Sequence, residues 1–126
     1  MSNQLSFFPE INEKEVRKVV ARQLKEYKAF KVSVQNKNEQ IIEGMQDIFP
    51  ILNKEQNKKA VIVRQIDRAL ENALDEVERE IITRKYLSNT RVKDTSIYMD
   101  MGLTKDQYYV HKREAIRLIA TALGII

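Results

Sequence analysis

Residues 94–123 read DTSIYMDMGLTKDQYYVHKREAIRLIATAL, and this stretch decides the predicted fold. Its apolar residues recur every three or four positions on both sides of Gly102, as expected for two helices separated by a sharp turn. Glycine suits such a turn because it adopts positive φ without steric cost. Thr104 follows as the predicted N-cap of the second, longer helix. The stretch therefore predicts a helix-turn-helix.

The same spacing predicts which side chains hold the two helices together. Leu103 is expected to pack between the two helices just after the turn, and the remaining apolar residues form one stripe on each helix. The predicted motif core consists of Ile97, Met101, Gly102, Leu103, Tyr108, Ala115, Ile116 and Ile119. An ordinary helical hairpin with a glycine corner is the alternative interpretation of this pattern.

The opposite face of the second helix is left for a partner, and in a helix-turn-helix that partner is duplex DNA. The first turns of the second helix contact base edges in the major groove, while flanking polar groups bind phosphates. The predicted base-reading residues are Lys105, Asp106, Gln107, Tyr109, Val110 and Lys112. The predicted phosphate ligands are Arg91, Lys93, Thr104 and Arg113.

The rest of the chain predicts an all-α fold, because only three glycines and two prolines interrupt 126 residues rich in helix-forming types. A first helix is predicted over 11–29, capped by Asn12, and a polar linker over 31–39. The apolar residues from Ile41 to Phe49 predict a shorter helix that Pro50 ends or kinks.

A further helix is predicted over 54–73, with Asn53 as its cap. The apolar residues after Asp75 fit either one continuous helix or a bend near Leu74, and we favour the bend, with Asp75 as the cap of the next helix. Three segments follow from this pattern. Residues 1–52 are expected to form an N-terminal helical region, for which a role in oligomerisation is left open, residues 53–74 a connecting helix, and residues 75–126 the DNA-binding domain. A homodimer is left open.

The charged residues do not decide the function by themselves. The chain has 22 basic and 18 acidic residues and a net charge of +4, which is compatible with DNA binding but does not require it. The cations of the first helix interleave with Glu13, Glu15 and Glu26, so a solvated face is the favoured interpretation. The acidic run from Asp75 to Glu80 is interpreted in the same way, as a partly paired surface.

Neither a metal centre nor an enzyme is predicted. The chain has no cysteine, and His111 is the only histidine, so the usual metal ligand sets and a Ser-His-Asp triad have too few members. No cofactor is expected, because no phosphate-binding glycine loop occurs. With no apolar run near 20 residues and polar residues after Met1, we expect a cytoplasmic protein that does not contact the membrane.

Two stretches carry a resemblance to a known family: ALDEVEREIITRKYL at 73–87 and IYMDMGLTKDQYYVHKREAIRLIATAL at 97–123. They resemble the C-terminal domain of the ArpU family of transcriptional regulators from phages and prophages of Gram-positive bacteria. That domain is similar to the promoter-reading helix-turn-helix of sigma factors, although sigma-like motifs often have Gly or Ala at the position of Tyr98 and an aliphatic residue at that of His111.

The resemblance implies a regulator of late or lysis-associated genes that binds promoter DNA in the bacterial host cell, with host RNA polymerase as a partner of the N-terminal helices. Two other functions are left open. A small terminase-like DNA-packaging subunit also combines a helix-turn-helix with an oligomerising region, but it commonly carries the motif first. A protein-only adaptor for RNA polymerase would use the motif for packing alone.

Overall fold

The computed structural model describes residues 12–44 and 53–126. Within these ranges the chain forms five α-helices and no strand, which confirms the predicted all-α class. The helices are α1 (Glu13–Ile42), α2 (Asn53–Asn72), α3 (Glu76–Tyr86), α4 (Asp94–Asp100) and α5 (Lys105–Ala122). None of these described helices is both long enough and apolar enough to cross a membrane.

Helix α1 is longer than predicted, and the predicted linker over 31–39 is wrong. The helix runs unbroken through this polar segment because Val34 continues the apolar stripe onto the core. A hydrogen bond also links this segment to α2: the backbone carbonyl oxygen of Ser33 accepts from Nε2 of Gln56 at 3.1 Å. Polar residues on the outward face of a helix are compatible with helix as long as the inward face stays apolar.

The start of α1 and the break after α2 follow the predicted capping residues. The Asn12 side chain accepts a hydrogen bond from the Glu15 backbone N–H at 3.2 Å. At the bend near Leu74, Asp75 caps α3 and exchanges hydrogen bonds with Glu78 in a capping box. Both the bend and the Asp75 cap are therefore confirmed. Of the predicted helix that ends at Pro50, only residues 41–44 are described: Ile41 and Ile42 belong to α1, and Glu43 and Gly44 form the turn after it.

One guanidinium joins α2 to α3. The Nε of Arg79 donates to the Leu70 carbonyl at 2.8 Å, and its Nη2 donates to the carbonyls of Glu71 at 3.0 Å and Leu74 at 3.2 Å. The last carbonyls of a helix have no partner within the helix, and they carry a partial negative charge. Arg79 therefore caps the end of α2 and fixes the angle at which α3 leaves it.

The principal core draws on four helices. Its buried side chains come from α1, α2, α3 and α5, and they include Val20, Leu24, Ile66, Leu70, Ile82, Ala115 and Ile119. Burial of each larger aliphatic side chain contributes about 1.5–3 kcal/mol to stability. All three predicted segments thus contribute to one core, while the division at residues 52 and 74 stays a prediction.

Candidate nucleic-acid interface

A second, smaller core holds the helix-turn-helix against α3. Ile81 of α3, Ile97 of α4 and Tyr108 of α5 are buried together, with Met101 and Leu103 packed against them. Residues Ala115, Ile116 and Ile119, further along α5, lie instead in the principal core. The inner face of α5 therefore contacts both cores, and its orientation is fixed along its whole length.

The turn between α4 and α5 closes as the sequence predicts. Gly102 has a φ of 70°, which places it in the left-handed region. Its N–H donates to the Met99 carbonyl at 3.2 Å, and the Leu103 N–H donates to the Tyr98 carbonyl at 2.9 Å. This pair of bonds is the Schellman motif, which satisfies the last carbonyls of a helix. Because Leu103 follows immediately, its side chain reaches the smaller core.

Helix α5 begins with a reciprocal cap. The Gln107 N–H donates to Thr104 Oγ1 at 3.1 Å, and the Thr104 N–H donates to Gln107 Oε1 at 3.0 Å. Both residues were predicted to contact DNA, as a phosphate ligand and a base-reading residue respectively. In the structure, the Thr104 hydroxyl and the Gln107 side-chain oxygen accept the two hydrogen bonds of the cap. The side-chain amide nitrogen of Gln107 takes no part in the cap and can donate to a partner.

A partly buried carboxylate joins the three helices of the motif. Oδ1 of Asp94 accepts hydrogen bonds from the Tyr108 hydroxyl at 2.5 Å and from Nζ of Lys112 at 2.9 Å. On the other carboxylate oxygen, Nζ of Lys85 lies 3.6 Å away. Asp94 is the first residue of α4, Lys85 belongs to α3, and the other two belong to α5. This cluster therefore pins α4 and α3 to the inner face of α5.

The protonation states of the cluster follow from its surroundings. Burial by itself would raise the pKa of Asp94, but the hydrogen bonds from Tyr108 and Lys112 and the charges of Lys112 and Lys85 outweigh it, so the pKa is lowered. Burial and the hydrogen bond to Asp94 raise the pKa of Tyr108. Burial, followed by the charge of Asp94, raises the pKa of Tyr86 to about 12. At neutral pH the carboxylate is charged and both phenols stay protonated.

The base-reading role predicted for Lys112 needs correction. The residue is only 8% exposed, and its ammonium lies 5.7–5.9 Å from the ring centres of Tyr86, Tyr108 and Tyr109. Cations over aromatic faces are attracted to the ring electrons. With its charge paired to Asp94 inside this aromatic cage, Lys112 faces the interior and away from the solvent side of α5.

The remaining predicted contacts lie on accessible surface. Lys105, Asp106 and Val110 are exposed, and Val110 has 59% of its surface accessible. Tyr109 is half-buried against the smaller core. These four residues lie in the first two turns of α5, together with Gln107, so one short stretch presents the predicted base-reading side chains other than Lys112.

The predicted phosphate ligands do not all share one environment. Arg91 and Lys93 are exposed just before α4, and neither has an ion-pair partner among the described residues. Arg113 is exposed on α5, where its Nε lies 3.7 Å from a carboxylate oxygen of Glu13 at the start of α1. That pair is largely solvent-exposed and is worth at most about 1 kcal/mol, so Arg113 can exchange Glu13 for another anion.

Sequence reasoning missed Asp94, and it misplaced Lys112. Asp94 lies fourteen and eighteen positions before its two partners on α5, and no local pattern reveals a contact at that separation. For Lys112 a signal existed, because Tyr108, Lys112, Ala115 and Ile119 recur at helical spacing on one stripe. A lysine in an apolar stripe predicts a buried partner of opposite charge.

Comparison of the chain with known protein families, with characterised proteins and with solved structures finds no match. In residues 12–44 and 53–126, no three acidic or histidine side chains are grouped so that they could hold a metal ion. The candidate interface of the chain is therefore formed by α4, the Gly102 turn and α5.

Proposed function

We propose that this chain is a sequence-specific transcription regulator whose α5 enters the major groove of promoter DNA. One observation carries the proposal: α5 is fixed along its inner face, while its first two turns present Lys105, Asp106 and Val110 to solvent. A helix of this kind fits the major groove, and an apolar side chain such as Val110 can contact a thymine methyl group.

Each exposed polar group has a role in this arrangement. Lys105 can donate to the O6 and N7 acceptors of guanine, and the free amide nitrogen of Gln107 can donate to a base edge. Arg91 and Lys93 precede α4, where they would bind the DNA backbone and set the register of α5. Arg113 would do so from the middle of α5, after leaving Glu13.

The resemblance of 73–123 to the ArpU family and to the sigma-factor promoter-reading domain supports the same function and suggests the target. We infer that the regulated genes are late or lysis-associated genes of a phage or prophage, and that the protein acts in the cytoplasm of the bacterial host. Helices α1 and α2 are the proposed contact for host RNA polymerase. A homodimer would bind half-sites about one helical turn apart.

The test is a salt-titrated binding assay against DNA from upstream of the protein's own gene and against a scrambled duplex of the same length. The Lys105→Ala variant should lose about 1–3 kcal/mol of binding free energy on the upstream site and less on the scrambled duplex. Lys58→Ala is the matched control, because Lys58 is an exposed lysine on α2 whose only described partner is Glu55. It should leave the selectivity unchanged.

Two outcomes would overturn the proposal in different directions. Equal binding to both duplexes, combined with ring-shaped oligomers, would assign the protein to DNA packaging. Absence of salt-dependent DNA binding would leave the motif as a packing unit and favour the polymerase adaptor, because phosphate contacts always make binding sensitive to salt.

A further inference from the structure

Helix α1 carries a stripe of cations on its solvent side. Lys14, Lys18, Arg22 and Lys25 are exposed and follow one another at steps of three or four residues, so they lie on one face. Arg17 and Lys28 are eleven residues apart, which is three helical turns, and they line one edge of this face. We call these residues the α1 basic stripe: Lys14, Arg17, Lys18, Arg22, Lys25 and Lys28.

The acidic residues of α1 do not neutralise the stripe evenly. Glu15 and Glu26, also eleven residues apart, line the opposite edge. Among the described residues, Glu15 forms an ion pair only with Lys18, at 3.7 Å, and both side chains are more than 60% exposed, so the pair adds little stability. The structure thus separates charges that seemed interleaved in the sequence.

Most of the stripe has no counter-charge. In the part of the chain that the structure describes, Lys14, Arg17, Arg22 and Lys25 form no ion pair. Like charges at this spacing repel one another and cost stability. Helix α1 contains eight basic and four acidic residues, and this net charge of +4 equals that of the whole chain, so the rest of the chain is neutral overall. The excess charge is concentrated on one face.

One edge of the stripe adjoins the candidate nucleic-acid interface. Arg17 lines a groove of about 520 Å³ together with Tyr109 and Arg113 of α5. Lys28 donates a hydrogen bond of 2.7 Å to the carbonyl of Ser88, in the loop that also carries Arg91. The stripe therefore lies beside two groups of predicted phosphate ligands, although the carboxylates of Glu13, Asp94 and Glu114 also line the groove next to Arg17.

We propose that the α1 basic stripe binds the phosphate backbone of duplex DNA beside the major groove that α5 occupies. The proposal rests on the proposed function, and it extends the contact beyond the helix-turn-helix. A straight run from Lys14 to Lys25 spans about 16 Å at 1.5 Å per residue, which is enough to follow several phosphates of one strand. Because these contacts are to phosphates, the stripe adds affinity without sequence preference.

The test compares two double variants on a mixed-sequence duplex of roughly 30 base pairs, about three helical turns. Lys14→Gln/Lys25→Gln removes two cations of the stripe, and Arg64→Gln/Arg68→Gln removes two exposed cations of α2 that form no ion pair with any described residue. Each lost phosphate contact lowers the slope of log K against log salt by about 0.9. The stripe variant should therefore lose about 1.8 from the slope and bind roughly tenfold or more weakly at low salt.

The α2 variant should keep the wild-type slope of log K against log salt. The Lys14→Arg/Lys25→Arg variant should keep it as well, since arginine preserves the positive charge. An unchanged slope in the stripe variant, with its melting temperature also unchanged, would overturn the proposal. Loss of binding to polyglutamate at unchanged DNA affinity would also overturn it and assign the stripe to an acidic protein partner.

The two proposals fail in distinguishable ways. Wild-type protein that binds no duplex at any salt concentration would remove both the regulator function and the stripe contact. Wild-type protein that selects its upstream site, while the stripe variant keeps the full salt slope, would remove only the stripe contact.

Discussion

Replacement of Asp94 by alanine should destabilise the fold more than any other single loss of a described ion pair. The variant leaves the Tyr108 hydroxyl and the Lys112 ammonium without their acceptor. The side chains of Asp94 and Lys112 are 23% and 10% exposed. The free-energy cost of disrupting this pair should therefore lie between two limits. Exposed pairs contribute about 0–1 kcal/mol, and the disruption of fully buried pairs costs about 3–5 kcal/mol.

We expect Asp94→Ala to lower the free energy of unfolding by about 2–3 kcal/mol, which for a chain of this size is roughly 8–12 °C in melting temperature. Thermal unfolding followed by circular dichroism measures it. Asp100→Ala is the control, because the Asp100 side chain is 70% exposed and lies 3.8 Å from Arg84. It should cost less than about 0.5 kcal/mol.

A double variant tests the reasoning further. Lys112→Met should partly rescue Asp94→Ala, because the apolar side chain fills the aromatic cage without leaving an unpaired charge. Strictly additive losses in Asp94→Ala/Lys112→Met, or an Asp94→Ala shift no larger than that of Asp100→Ala, would refute the buried-pair account.

Three further predictions concern the same framework. Since the folded pKa of Asp94 lies below its unfolded value, its stabilisation is complete above the unfolded pKa and is lost as pH falls through the folded pKa. The difference in free energy of unfolding between wild type and Asp94→Ala should thus be constant from about pH 7 to pH 5 and decrease below about pH 4. Urea titrations at each pH measure this difference, and an increase at acidic pH would contradict the prediction. Gly102 has a φ of 70°, and no described atom beyond its two chain neighbours lies within 4 Å of a Cβ built there, so backbone strain alone should set the cost of a substitution. The loss in free energy of unfolding, measured in urea, should rise from Gly102→Asn through Gly102→Ala to Gly102→Val, where it should reach about 1–3 kcal/mol. Equal losses for the three variants would contradict a positive φ at this position. Arg79→Met should cost about 1–2 kcal/mol through three lost carbonyl contacts, and Arg79→Lys should recover only part of it in thermal melts, because one ammonium cannot match the guanidinium fork.

The parts of the fold that could be predicted depend on local interactions. The Gly102 turn, the Thr104 cap and the Asp75 cap each involve residues no more than five positions apart, so each has a recognisable local sequence pattern. The apolar stripe of α5 is equally local, because its period is that of the helix itself.

The parts that could not be predicted depend on contacts between distant segments. Polar residues over 31–39 suggested a linker, and only the packing of Val34 and the Gln56 bond from α2 explain why the helix continues. Arg79 caps a helix that ended several residues earlier, and the pairing of Lys112 with Asp94 needs the turn to be folded. Sequence spacing alone cannot specify such partners.

The placement of α5 separates what folding requires from what binding requires. Its inner face contributes Tyr108, Ala115 and Ile119 to the two cores, so substitutions there change stability and recognition together. On the outer face, Lys105, Asp106 and Val110 are exposed and lie in neither core, and Val110 has 59% of its surface accessible. A change at Lys105 or Val110 that weakens DNA binding while the melting temperature stays constant therefore reports on recognition itself, because surface substitutions away from structural contacts shift stability by only about 0.5 kcal/mol.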